Sequence, residues 1–194
     1  DKAKKRPQSE IRTIQRWMCD RYFDIRTFGG VLSTGPNGGQ IRGPVQISFS
    51  RSIDQIVTAE HTITRLTDVD AEEGEMGRKY TIPYGLYKCQ GFVNPFLATQ
   101  TGFDDDDLEL LFVSLENAFQ FDQSAARPAG SMNPRALLVF KHDSALGSAP
   151  SHKLFDLISV KKKDEVEVPR SFNDYEVSID DSALPKGVTL IRRI

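Results

Sequence analysis

Ile11, Ile14, Met18 and Tyr22 recur at three- and four-residue steps, with Arg12, Arg16 and Arg21 largely off that line. This stripe predicts a first helix, entered through Ser9 as its N-cap. The run from Gly29 to Gly39 holds five glycines and a proline, too many breakers for an element interior, and predicts an adaptable loop. Between Pro44 and Ser50, Val45, Ile47 and Phe49 alternate with polar residues, the period of a half-buried strand. Periodicity then lapses over 51–77, which predicts an insertion projecting from the core. From Lys79 to Val93 the β-branched and aromatic content rises again; this predicts a strand, with Pro83 and Gly85 marking an edge or a bulge.

The clearest element is a second helix, where Leu108, Leu111, Phe112, Leu115 and Phe119 form one stripe behind the acidic run Asp104–Asp107 and end near Asp122. Negative charge at a helix start is favoured by the dipole. Ala136–Phe140 reads as a short apolar strand, with weaker strands at Leu157–Val160, Tyr175–Ile179 and Val188–Ile191. Helix, strand, strand, helix, strand is the ferredoxin-like βαββαβ order without its first strand. The expectation is an α/β (α+β) fold, a single domain over 1–194 whose opening strand is missing. The absence of an initiator Met and the lysine-rich entry agree with a missing front.

Composition narrows the classes. With 39% hydrophobic and 27% charged residues, the chain has the apolar material to fold and is not a disordered segment. No apolar run approaches the roughly 18 residues of a membrane span, and the charged start lacks the apolar core of a secretory signal. Cys19 and Cys89 are the only cysteines, too few and too far apart for a disulfide framework or a zinc site. A cytoplasmic protein without membrane contact and without cofactor is expected. The net charge of −2 argues against a generic polyanion binder, yet charge is unevenly spread. Residues 2–26 carry eight basic and three acidic side chains, while ten acids crowd into Asp68–Glu75 and Asp104–Glu109. Local basic faces remain available.

Several strings are more distinctive than any periodicity: Gly39 to Gln46 (GQIRGPVQ), Met76 to Tyr87 (MGRKYTIPYGLY), Asp122 to Arg127 (DQSAAR), Phe140 to Gly147 (FKHDSALG) and Ala149 to Phe155 (APSHKLF). Together, in this order, they resemble the type I-C version of the CRISPR-associated Cas-seven family, the repeated backbone subunit of Cascade. The likeness runs from about Trp17 to Phe155, with a looser match to the C-terminus; the family's opening strand has no counterpart. The resemblance implies a palm built as a modified RNA-recognition fold, and a thumb-like insertion at 51–77 that displaces a base at regular intervals. It also implies C-terminal strands and loops at 142–194 packing on the palm. The partners it implies are CRISPR guide RNA, target DNA through the guide, copies of the same chain stacked head to tail, and other Cascade subunits.

A protein that must hold any guide sequence needs Arg, Lys, small polar groups and close-approaching backbone rather than base readers. Gln40 and Arg42 sit in such a setting; alternatively the glycines only make turns and Arg42 is a solvated charge. Arg78 and Lys79 would flank a phosphate backbone while Met76 wedges between bases or, equally, packs in a core. Ser124 and Arg127 offer a close-approach turn or a helix C-cap. Arg65, Lys141 and His142 complete the candidate RNA contacts. His142 next to Asp143 suggests acid–base cleavage, but neighbours on a strand face opposite ways, so binding or loop stabilisation is expected. Helix-start electrostatics accounts for Asp104–Asp107 without a metal, and no catalytic residue is assigned. The competing function is a metal-dependent endoribonuclease, since relatives in type III complexes cut target RNA; Asp24 is the carboxylate to test. A protein-only assembly unit is the third alternative.

Overall fold

Helix α1 (Gln8–Arg21) starts one residue before Ser9. Pro7 stands at the N-cap with an extended backbone (φ −58°, ψ 143°) and no side-chain cap bond. Ser9 instead lies in the first turn, where its carbonyl accepts from the Thr13 hydroxyl at 3.1 Å. The fixed proline ring sets the boundary that a capping hydroxyl was expected to set. The computed structural model describes residues 7–33, 37–65, 75–124 and 126–194. After an extended break at Tyr22, α2 (Phe23–Phe28) follows. The glycine-rich run is not a plain loop: β1 (Gly29–Leu32) pairs antiparallel with β2 (Gly39–Arg42), Gly29 opposite Arg42 and Leu32 opposite Gly39. Gly29, Gly30 and Gly39 themselves take places in the ladder, opposite Arg42, Ile41 and Leu32.

Strand β3 (Val45–Ile47) is shorter than its alternation suggested. The aperiodic stretch contains β4 (Arg51–Ser52) and most of a long hairpin, β5 (Ala59–Arg65) with β6 (Glu75–Thr81). The single strand expected over Lys79–Val93 breaks at Pro83 and Gly85 into the end of β6, then β7 (Tyr87–Lys88) and β8 (Gly91–Val93). Helix α3 (Pro95–Thr101) was not anticipated. Its punctuation is nonetheless complete: Asn94 Oδ1 accepts from the amides of Phe96 and Leu97, Pro95 opens the first turn, and Gly102 (φ 80°) closes the last. Helix α4 (Asp105–Glu116) begins in a reciprocal capping box between Asp104 and Asp107. There follow α5 (Ala118–Phe121), β9 (Leu138–His142), α6 (Ser151–Phe155), β10 (Ile158–Lys162), β11 (Tyr175–Ile179) and β12 (Val188–Arg192).

The mixed α/β expectation holds. Among the described residues the strands pair two by two, all antiparallel: β1–β2, β3–β8, β4–β7, β5–β6, β9–β12 and β10–β11. The chain divides into two compact units. The first comprises Asp1–Ser48, Gly91–Phe155 and Asp181–Ile194. Its buried cluster is Val45, Phe103 and Leu111, with Phe23, Ala98, Leu108 and Leu115 packed against it. Arg26 on α2 forks onto Asp107, with Nε and Nη2 each 2.7 Å from a carboxylate oxygen, and its Nη1 donates to the Cys19 carbonyl at 2.6 Å. One guanidinium thus ties α1, α2 and α4. Phe155 meets Phe92 and Phe140 edge-on. Near the C-terminus Arg193 lies over the Phe112 ring and bonds Glu109 and Glu116 along α4.

The second unit comprises Phe49–Gln90 and Asp156–Asp180. Tyr175 is its buried anchor, donating its hydroxyl to Asp54 and lying beside the Tyr84 ring. Burial first, and the Asp54 bond second, push the Tyr175 phenol well above its ordinary value.

Candidate nucleic-acid interface

Alternation along β2 places Ile41 inside, 8% exposed, and turns Gln40 and Arg42 outward. Among the described residues Arg42 makes no ion pair. These side chains line an open groove of about 460 Å³ floored by Gly29, Gly30 and Gly43 and edged by Phe28, Val31 and Gln46. Gln15 fixes the outer strand to α1, donating through Nε2 to the carbonyls of Gly38 at 3.0 Å and Gln40 at 3.1 Å. Gly29 and Gly43 answer to the protein's own backbone, and Gly30 to the Ile25 side chain. A Cβ at Gly43 would stand 2.2 Å from the Phe28 carbonyl carbon, and one at Gly29 (φ +77°) 2.3 Å from the Ile41 carbonyl oxygen. Two backbone segments cross there at a distance only glycine permits. The groove therefore offers bare backbone, two carboxamides and one guanidinium, groups of the kind that hold phosphate and sugar.

In the second unit, the β5–β6 register sets Glu60 opposite Tyr80, His61 opposite Lys79, Thr62 opposite Arg78 and Thr64 opposite Met76. One face carries Glu60, Thr62, Thr64, Met76, Arg78 and Tyr80; the other carries His61, Ile63, Lys79 and Thr81. Arg78 and Lys79 consequently point to opposite sides and do not jointly flank one strand of nucleic acid. Met76 is 74% exposed, which removes the alternative that it packs in this chain's core. Arg78 pairs with Glu60 at 3.1 Å, both well exposed. On the far face His61 Nε2 lies 3.0 Å from the Thr81 hydroxyl. Arg65 is the last residue of β5; its side chain lies outside what the structure describes, as do most of the acids of Asp68–Glu75.

Ser124 and Arg127 close a small turn on themselves, each amide bonding the other's carbonyl at 2.9 and 3.0 Å. The Arg127 guanidinium meets the Asp122 carboxylate at 3.0 Å rather than the helix-end carbonyls. Lys141 and His142 occupy opposite faces of β9, Lys141 exposed and His142 half-buried. His142 Nδ1 accepts the Ser148 amide at 2.9 Å, which holds the loop after the strand. Asp24 Oδ1 receives the neighbouring amide of Ile25 at 2.9 Å. Asp107 is occupied by Arg26, whose hydrogen bond holds its carboxyl below the usual range. Gln40 and Arg42 are thus brought together in the first unit, and Met76 and Arg78 in the second. Sequence reasoning missed Gln46 and Tyr80, although Tyr80 continues the period-two row through Met76 and Arg78.

The first unit thus presents an open, glycine-lined groove with Gln40, Arg42 and Gln46, in a chain of mixed α/β fold. The sequence model of the family described as CRISPR-associated protein Cas7 matches residues 1–180, and this chain belongs to that family. A solved structure described as "CRISPR RNA-guided surveillance complex, pre-nicking" is similar at 15% identity and a TM-score of 0.46, over 67% of this chain and 37% of that one. The chain therefore spans little over a third of that relative's length. No curated protein matches the sequence. Among the described residues no helix is long and apolar enough to cross a membrane.

Proposed function

We propose that this chain is part of the backbone subunit of a type I-C surveillance complex, and that it grips guide RNA in the cytoplasm without reading its sequence and without cutting it. Membership of the Cas7 family over residues 1–180, with Gln40 and Arg42 exposed over a bare backbone floor inside that span, carries this proposal. The β5–β6 hairpin serves as the thumb of the 51–77 insertion on an RRM-like palm. Copies stack head to tail along the guide beside other Cascade subunits, and target DNA meets the protein through base pairing to that guide. Binding rather than chemistry is supported at the start of α4, where Asp104 and Asp107 are engaged in a capping box and Asp107 also in the Arg26 fork; Asp24, exposed and accepting one local amide, is the carboxylate to test.

The test begins with the absorbance ratio and nuclease sensitivity of the purified chain, which should reveal copurifying RNA. Guide RNA added with magnesium or manganese should bind and stay intact. Metal-dependent cleavage that disappears in Asp24→Ala would overturn the proposal and install the endoribonuclease in its place.

A further inference from the structure

The β4–β7 ladder sets Ser52 opposite Tyr87 and Arg51 opposite Lys88. The Ile53 amide donates to the Leu86 carbonyl at 2.8 Å and fixes this register from the next position. Residues directly opposite in an antiparallel pair share a face, with Cβ atoms about 5 Å apart, and like charges there repel. Arg51 is exposed and Lys88 half-buried, so water and salt screen the repulsion only in part. Among the described residues neither cation has an ion-pair or side-chain hydrogen-bond partner. Elsewhere in the same unit cations meet acids across the strands. Lys161 on β10 faces Glu176 on β11, and Arg78 on β6 pairs with Glu60 on β5 at 3.1 Å. Two cations side by side without an acid lower stability unless an anion from outside the unit sits between them. A phosphate group suits that place, because a guanidinium takes two of its oxygens in a fork while an ammonium takes a third as a point charge.

We propose that Arg51 and Lys88 form a phosphate-binding site on the β4–β7 ladder. The site lies on other strands than the β2 groove and the β5–β6 hairpin, and it stands on its own residues whether or not those surfaces hold RNA. Its phosphate comes from the backbone of a nucleic-acid strand or from a free phosphate ion, and the two sources are separable by experiment.

Thermal melts of the full chain in sodium chloride and in sodium phosphate of equal, low ionic strength test the site, together with fluorescence anisotropy on labelled oligouridylate. In chloride, Arg51→Gln and Lys88→Gln should each melt at or above the wild type, because each relieves the repulsion. If free phosphate is the ligand, phosphate should raise the wild-type melt by more than that of either variant, and oligouridylate affinity should be the same in all three proteins. If a strand supplies the phosphate, each variant should bind oligouridylate about fivefold more weakly at about 0.1 M salt, with a salt slope lower by about 0.7. Variants that melt below the wild type in chloride overturn the site, because the pair then supports the fold. Equal phosphate shifts in all three proteins, with unchanged oligouridylate affinity, overturn it as well. A wild type that binds no oligouridylate overturns the RNA reading alone, and the melts then decide the site.

Discussion

The start of α4 and the outer row of β6 each contain an arginine paired with a carboxylate, and the two pairs serve opposite ends. Arg26 and Asp107 retain 19% and 10% side-chain exposure, and the guanidinium spends its three contacts inside the first unit. Arg78 and Glu60 retain 72% and 48%, where water screens the attraction and a new anion can displace the old one. Burial, not the identity of the partners, decides whether such a pair holds a fold or presents a charge.

Removing one partner of the inner pair should do the most damage. Asp107→Ala strips the Arg26 fork and half of a capping box together, and a loss of about 3–5 kcal/mol in urea unfolding is expected. The same carboxylate gives the comparison a pH signature. Its folded value lies below its unfolded one, chiefly through the Arg26 hydrogen bond. Its stabilisation is therefore complete above the ordinary carboxylate range and is lost as pH falls through the lowered value. Asp107→Asn should flatten the acid limb of a stability profile; an unchanged limb would mean that the pair does not form in solution. Next in size is Asn94→Ala, which removes the cap of α3 and should cost about 1 kcal/mol.

On the presented side, effects should shift from stability to binding. Arg42→Ala should leave unfolding within about 0.5 kcal/mol, weaken all RNA sequences alike and lower the salt slope by about one unit. Smallest of all, Met76→Ala should leave both stability and salt slope nearly unchanged, while bases beside the hairpin become less accessible to single-strand chemical probes. A cooperative melt lowered by several degrees in Met76→Ala would place that side chain in a core after all.

The helices with long stripes were legible because burial on one side writes a 3.6-residue period, as in Leu108, Leu111 and Leu115. The glycine-rich hairpin was not, since glycines that take places in a ladder and glycines in a loop look the same until pairing is known. Helix α3 carried its full punctuation in Asn94, Pro95 and Gly102, but has too few turns for a stripe to show. In the candidate site, alternation exposes Gln40 and Arg42 around Ile41. The separation of Arg78 from Lys79 follows from the same rule once the stretch is known to be a strand. Gln46 could be associated with the groove only through the fold.

The crossing at Gly29 and Gly43 bears on what this surface can become. Any substitution at either position must force two stretches of main chain apart before it alters anything a ligand would touch. Engineering or drift that seeks a new grip is thereby channelled to the rim, to Gln40, Arg42 and Gln46, whose side chains can change length, charge or hydrogen-bonding pattern while the floor beneath them stays the same.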